Sequence, residues 1–316
     1  MRFLVRRFLM LIPVLLVVTF AAFYLTSLLP GDPALAVLGP GATPEAIAQE
    51  RLRLGLDDNI FVRYGGYLVN VAQGDLGASA TTKEQVSTLL GQRLPVTLEL
   101  LVLSQIVAFA LSVPLAALAA RRPGKLLDRM STGGAFALLA VPPFMLGVLF
   151  VYLFAVKWQL FPATGYMPFT TDPLQNLKTM ALPALTLGLG SVAVYLRVLR
   201  SDMISTLQQD FITMARAKGM SQRWILLRHA LRPSTFSLIT VAGLNIGALI
   251  GGAIVVESVF ALPGIGTLVV TAIGQRDFLT VQGVVLVAAT GYVLVNFLVD
   301  VLYGVVDPRV RVEREG

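Results

Sequence analysis

Six stretches of the chain are apolar over the thickness of a bilayer. They run over about 8–29, 95–119, 131–156, 181–199, 233–256 and 282–303, near the roughly 18 to 25 residues that a spanning helix needs. Pro13, Pro114, Pro142, Pro143 and Pro183 fall inside or at the ends of these runs, and membrane helices tolerate such breakers better than soluble ones do. The pattern predicts an all-α membrane protein with six transmembrane helices.

Lys and Arg give the orientation. With a cytoplasmic N-terminus, seventeen of the 25 fall on the inner side, from Arg2, Arg6 and Arg7 to Arg309, Arg311 and Arg314. Six spans return the C-terminus to that side. The Arg-rich start resembles a signal peptide, but the apolar run is long and lacks a small-residue cleavage site before Pro30, which predicts a retained helix. The expected organisation is a first segment and helix over 1–29, an extracytoplasmic helical subdomain over 30–94, a five-helix core over 95–303 and a cytoplasmic tail over 304–316. The core contains a cytoplasmic hairpin, 200–232.

The outer segment carries its own helix signals. Thr43 is a cap, Pro44 takes the first helical position, Glu45 follows, and Gly55 can end the helix. A second helix is predicted over 59–72, closed by Gly74. A disordered loop is the alternative, but Leu52, Leu54, Leu56, Ile60, Phe61, Tyr64 and Leu68 supply apolar surface to pack.

The hairpin is the densest patch of positive charge. Asp210 is placed to cap a two-turn helix, Phe211 to Lys218, and Gly219 to end it in the left-handed region. Ser221 can cap a second helix running through Leu231 into Pro233. Two turns are unstable alone in water, so the first helix must pack on something. Phe211, Met214, Ala215 and Met220 would offer a partner a small apolar surface beside Arg216 and Lys218. The alternative is a basic helix lying on anionic lipid.

Composition narrows the chemistry. The chain has 316 residues, 56% of them apolar and 14% charged, against roughly a quarter charged in soluble domains. With no cysteine and one histidine, His229, it has no disulfide, no thiolate or multi-histidine metal site and no cysteine nucleophile. No catalytic and no metal-ligating residue is expected. The net charge of +7 reads first as membrane topology, not as a nucleic-acid surface.

Thr213-Met214-Ala215-Arg216-Ala217-Lys218-Gly219 resembles the EAA loop of ABC importer permeases, Glu-Ala-Ala, three residues, then Gly. Ala215 and Gly219 match; Thr213 and Met214 stand where the family has Glu and Ala, and Leu231-Arg232-Pro233 alters its tail. Other segments resemble the dipeptide/oligopeptide branch: Leu29-Pro30-Gly31-Asp32-Pro33, Leu54-Gly55-Leu56-Asp57, Arg63-Tyr64, Gly74-Asp75-Leu76-Gly77, Glu257-Ser258-Val259-Phe260 with Leu262-Pro263-Gly264-Ile265-Gly266, Arg276-Asp277, Val281-Gln282-Gly283, Asp300-Val301-Leu302-Tyr303 and Asp307-Pro308-Arg309. Leu279 and Ser237 replace prolines usual in that branch.

The resemblance implies a type I ABC import system of a bacterial or archaeal cytoplasmic membrane. Its partners would be a second homologous permease, two cytoplasmic ABC ATPases and an extracytoplasmic substrate-binding protein that delivers peptide. ATP and magnesium would sit on the ATPases. This chain has no Gly-x-x-x-x-Gly-Lys-Ser/Thr phosphate loop and is expected to bind no cofactor. The hairpin would be the ATPase-coupling element, with Asp210, Met214, Ala215, Arg216, Lys218, Gly219 and Met220 at the contact. The competing reading is a stand-alone secondary transporter or channel, which would need repeats or mid-membrane charges for ion coupling; no clear repeat or such charge is visible.

Asn245 lies in a fifth span rich in glycine, which suits close helix packing or pore lining. For Glu257, beside the Pro263-Gly264 turn, the resemblance implies an outer-gate or receptor-facing role, the alternative being a solvated helix end. Glu99 fits a snorkelling group or a functional one, and Asp300 a structural partner for a cytoplasmic Arg. His229 reads as a surface or subunit contact, and Trp158, Phe161 and Tyr166 as an interfacial aromatic belt.

Overall fold

A computed structural model describes residues 2–27, 32–39, 41–53 and 55–306, without side-chain placement for 2–10, 33, 36, 37, 300 and 302–306. Leu29-Pro30-Gly31, Leu54 and the tail 307–316 lie outside the described residues, as do the side chains of Arg2, Arg6, Arg7 and Asp300. The described residues are helical apart from turns, loops and an isolated bridge between Ala78 and Gln85.

The helices in chain order are α1 (Arg2–Ser27), α2 (Pro33–Leu38), α3 (Pro44–Arg53), α4 (Ile60–Ala72), α5 (Val86–Arg121), α6 (Leu126–Ala140) and α7 (Pro143–Phe150). They continue with α8 (Pro173–Leu207), α9 (Asp210–Ala217), α10 (Gln222–Trp224), α11 (Arg232–Phe260), α12 (Ile265–Gly274) and α13 (Phe278–Val306). α7 runs on as a π-helix, Val151–Lys157, and a second π-helix, Ile225–Leu231, joins α10 to α11.

Among the described residues, Val86–Arg121, Pro173–Leu207, Gln222–Phe260 and Phe278–Val299 are long and apolar enough to cross a membrane. The third expected span is not one straight helix. Leu126–Ala140 and Pro143–Lys157 meet at a bend of 101°. The cause is Pro142-Pro143: neither has an N–H for the helix ladder, and each pushes its predecessor out of the α region. Val141 and Pro142 are extended there, with ψ of 123° and 142°. The apolar part of α1 is Leu11–Ser27. α12 was not anticipated, because ten residues are too few to register as a span.

Local chemistry sets the ends of the short helices. Asp32 accepts from the Ala34 amide at 2.9 Å, and Asn59 from the Phe61 amide at 3.0 Å. α3 and α4 end alike. Gly55 and Gly74, with φ of +61° and +81°, let the chain turn back so that Leu56 bonds the Arg51 carbonyl and Asp75 the Asn70 carbonyl, at 3.0 and 2.9 Å. Arg51 donates to Asp32 at 2.8 Å and to Asp57 at 2.6 Å. Although burial pushes the Asp32 carboxyl up, the bonds from Arg51 and the Ala34 amide hold it below the usual range.

The chain divides into two compact units, Met1–Thr97 with Pro263–Leu294, and Leu98–Leu262 with Val295–Gly316. In the first, one face of α1 is buried through Thr19, Phe23 and Thr26. Gln282 on α13 donates to Thr26 at 2.8 Å. Buried Asp277 accepts from Ser79 at 2.5 Å and Thr280 at 2.8 Å, fastening the 79–85 turn to the start of α13.

The second unit packs α5, α8 and α11 on small residues. Ala108, Ala116, Ala117 and Ala120 meet Tyr195, Leu199 and Met203, with Leu238 and Ala242 closing the cluster. A β-carbon on Gly188 would lie 2.7 Å from the Ser104 carbonyl oxygen, and one on Gly243 would collide with Val299. Without a hydrophobic drive between helices in lipid, such contacts supply the association. Gly251, in the same glycine-rich span as Gly243, faces open space. Gly188→Ala is therefore expected to destabilise the isolated chain by about 1–3 kcal/mol, read as a lower melting temperature in detergent, and Gly243→Leu by more. Gly251→Ala should leave the melting temperature unchanged.

Candidate functional site: the helical hairpin

Between α8 and α11 the chain leaves its long helices for a compact hairpin. Asp210 is the first residue of α9 and not its cap; Gln209 holds the cap position and makes no side-chain bond there. Its extended backbone (φ −73°, ψ 151°) starts the helix one residue earlier than expected. The acid at Asp210 still suits the positive end of the helix dipole. Gly219 ends α9 as expected, with φ of +75°. Its amide bonds the Arg216 carbonyl at 3.0 Å and the Met220 amide the Ala215 carbonyl at 3.3 Å, the paired closure of a glycine-terminated helix. Ser221 accepts from the Trp224 amide at 3.4 Å.

A small core holds the two arms together. Ile212, Ala215 and Ile225 are buried against one another, with Leu207 packed on them. Each buried isoleucine is worth about 1.5–3 kcal/mol, which supplies what a two-turn helix lacks by itself. Ala215 thus serves the interior of the hairpin, at 6% exposed, and does not face outward as the sequence reading had it. Phe211, Met214, Met220, Trp224 and Leu227 form the outward apolar surface, and Arg216, Lys218, Arg223 and Arg228 are exposed around it. The His229 ring lies against Trp224 at 4.8 Å and Phe211 at 6.3 Å, and its buried Nε2 has no hydrogen-bond partner among the described residues.

Close to the hairpin, Asp128 at the start of α6 takes a two-pronged ion pair from Arg200 on α8, with Nη2 to Oδ2 at 2.8 Å. The Gly124 amide adds a bond at 2.7 Å. Asp128 is almost fully buried, so removing its partner would cost about 3–5 kcal/mol. Sequence reasoning counted Arg200 as an inner-side charge and missed Asp128; an acid amid Lys125 and Arg129 was the available signal.

The other expected residues fall in different places. Asn245 donates to Ser191 at 2.8 Å and lies 3.4 Å from the Tyr195 hydroxyl, which bonds Gln105 at 2.8 Å. This polar chain joins α5, α8 and α11 within the apolar interior. Gln105, Ser191 and Tyr195 were not singled out, because each alone reads as a tolerated polar residue in an apolar run. Glu257 is fully buried, which removes the solvated-helix-end alternative. Ala261, in the left-handed region at φ 51°, and Leu262 both return their amides to the Glu257 carbonyl. Pro263 and Gly264 belong to the other unit, where Gly264 precedes α12 in extended backbone and the next amide, Ile265, bonds Thr97 at 2.9 Å.

Tyr166, expected in an aromatic belt, donates to Glu99 at 2.7 Å. Burial and the adjacent carboxylate push the Tyr166 hydroxyl up to about 12. Among the described residues no group of three or more His, Cys, Asp or Glu is placed to hold a metal.

Long apolar helices packed on small residues, with a basic hairpin set between two of them, define an all-α, multi-pass membrane protein. Residues 112–312 match the family of binding-protein-dependent transport system inner membrane components, and residues 1–101 match its N-terminal domain. The chain belongs to that family and is a membrane permease subunit of an ABC importer. It is 41% identical over 304 residues to a chain assigned as a peptide transport system permease protein in Brucella abortus (strain 2308), covering 95% of this chain and 96% of the other. It is 37% identical over 335 residues to the dipeptide transport system permease protein of Escherichia coli (strain K12), with 98% and 99% covered. It is also 37% identical over 311 residues to the glutathione transport system permease protein of Salmonella paratyphi A, again with 98% and 99% covered.

The geometry separates two roles within the hairpin. Ala215→Leu overfills the Ile212–Ile225 contact and Gly219→Pro forbids the left-handed turn, so both should expose the hairpin to limited proteolysis while the spans still insert. Met214→Ala removes only outward surface and should leave the cleavage pattern as in the parent chain.

Proposed function

We propose that this chain forms half of the translocation pore of a receptor-dependent, ATP-driven importer whose cargo is peptide. The carrying observation is the hairpin: a self-packed element with an outward Phe211–Met214–Met220–Trp224 surface ringed by arginine and lysine, built onto the start of a helix that runs from Gln222 to Phe260. Such a surface suits a protein groove with acidic flanks. Movement of the partner would be carried into the membrane by the attached helix.

In this reading the N- and C-termini and the hairpin are cytoplasmic. The hairpin seats in one of two ABC ATPases, which hold ATP and magnesium, while this chain binds neither. A second, homologous permease completes the pore, and an extracytoplasmic binding protein delivers the cargo. The peptide assignment rests on the full-length similarity to the peptide and dipeptide permeases. The polar chain Gln105–Tyr195–Asn245 and buried Glu257 are the candidates for the pathway and the outer gate. The stand-alone transporter reading gains no support from these relatives.

Reconstitution tests this directly. The purified chain alone should neither hydrolyse ATP nor accumulate peptide. With the second permease, both ATPases and loaded receptor, hydrolysis and uptake should appear together, and Phe211→Ala with Met214→Ala should reduce ATPase co-purification at least several-fold. Concentrative uptake by the single chain under a proton or sodium gradient would overturn the proposal.

A further inference from the structure

α3 and α4 follow one another in the segment between the first two spans, yet their surfaces differ in kind. α3 carries Glu45, Glu50, Arg51 and Arg53 in ten residues, whereas α4 carries only Arg63 in thirteen. The inward face of α4 is half-buried through Ile60, Tyr64, Tyr67 and Leu68. Its outward face is also apolar: Phe61 is 68% exposed, Val62 63% and Val69 56%. Gly65 and Gly66 interrupt that face, with open space where a β-carbon would go. A short helix with paired glycines is a poor helix in water. Arg63 and exposed Asn70 share one side of a helix that is otherwise apolar, and a helix with so wide an apolar face belongs against an apolar surrounding.

Contacts with α1 fix how deep α4 sits. The Tyr64 hydroxyl donates to the Leu16 carbonyl at 2.9 Å and lies 2.7 Å from the Thr19 hydroxyl. Phe61 stacks on Phe20 at 5.7 Å between ring centres, and Tyr67 meets Phe23 at 5.4 Å. α1 ends at Ser27, so Phe20 lies about 10 Å below that end at 1.5 Å per residue. Half of a hydrocarbon core is about 15 Å. The first turn of α4 therefore runs beside α1 at acyl-chain depth. Val17 and Leu25 of α1 are exposed as well, so the outward face of α4 continues the apolar side of the helix that the sequence reads as the first span.

We propose that α4 is a membrane-embedded interfacial helix, its Phe61–Val62–Val69 face resting in lipid in the leaflet where α1 ends. The Arg63 guanidinium lies over the Phe23 ring at 5.7 Å, which shelters a cation at this depth. α4 then anchors the segment that carries α2 and α3, leaving the charged α3 in water. This inference rests on the membrane-spanning character of α1 and not on the coupling role of the hairpin.

The absence of cysteine makes the test direct. Single substitutions Val62→Cys, Val69→Cys and, as an aqueous reference at an exposed position of α3, Gln49→Cys are spin-labelled in the assembled transporter in phosphatidylcholine/phosphatidylglycerol nanodiscs. Collision with oxygen, which concentrates in lipid, is compared with collision with a water-soluble nickel chelate. Labels at 62 and 69 should favour oxygen several-fold, and the label at 49 should favour the chelate. Phe61→Trp should be quenched by brominated lipid, a second readout that needs no label. Chelate access at 62 and 69, or protection from both reagents by a covering protein, would overturn the proposal. Peptide uptake by the same variants is read separately and bears on the importer reading alone.

Discussion

One helix carries the hairpin into the apolar core, and a proline within it does not stop it. Pro233 has no N–H to return to the His229 carbonyl, and a proline at that position commonly ends or kinks a helix. Here the chain passes instead through a π-helical run, Ile225–Leu231, and goes on unbroken from Gln222 to Phe260. The wider turn re-spaces the carbonyls just before the proline, as π-bulges at functional positions do. The hairpin and the fifth span are consequently one body. The Ile212–Ala215–Ile225 core locks α9 to it, so a force on the outward face of α9 acts on the membrane helix.

Two further constraints determine what that body can move against. Gly188 and Gly243 bring α8 and α11 so near their neighbours that a methyl group does not fit, which favours sliding of packed helices over deformation. Arg200 and Asp128 tie the C-terminal part of α8 to α6 through a nearly buried pair. The Gln105–Tyr195–Asn245 chain joins α5, α8 and α11 by hydrogen bonds in an apolar interior, where an unmade bond is expensive.

What was legible in the sequence follows from range. Four of the six spans, the caps at Thr43 and Ser221 and the closures at Gly55, Gly74 and Gly219 are set by neighbours within a few residues, and the structure has them where the sequence put them. The 101° bend at Pro142-Pro143 went unread because those prolines were taken as breakers that a spanning helix tolerates. Ala215 was assigned to the wrong face because eight residues do not fix the phase of a helix; the partner that draws it inward, Ile225, lies ten residues on. Tyr195 meets Gln105 across 90 positions, and the burial of Glu257 is a tertiary fact, so neither could be read locally. α4 was legible as a helix, but its depth rests on Tyr64 reaching back to Leu16.

The central claim is mechanical continuity between the hairpin and the fifth span. Inserting four alanines between Leu231 and Arg232 adds about one turn of helix and keeps the faces nearly aligned. Inserting four glycines adds the same length but breaks the stiffness. The measurement is the number of peptides imported per ATP hydrolysed by the reconstituted transporter carrying each insertion. The account predicts that the alanine insertion retains most of the coupling ratio while the glycine insertion still hydrolyses ATP and imports almost nothing. Equal coupling in the two would contradict it.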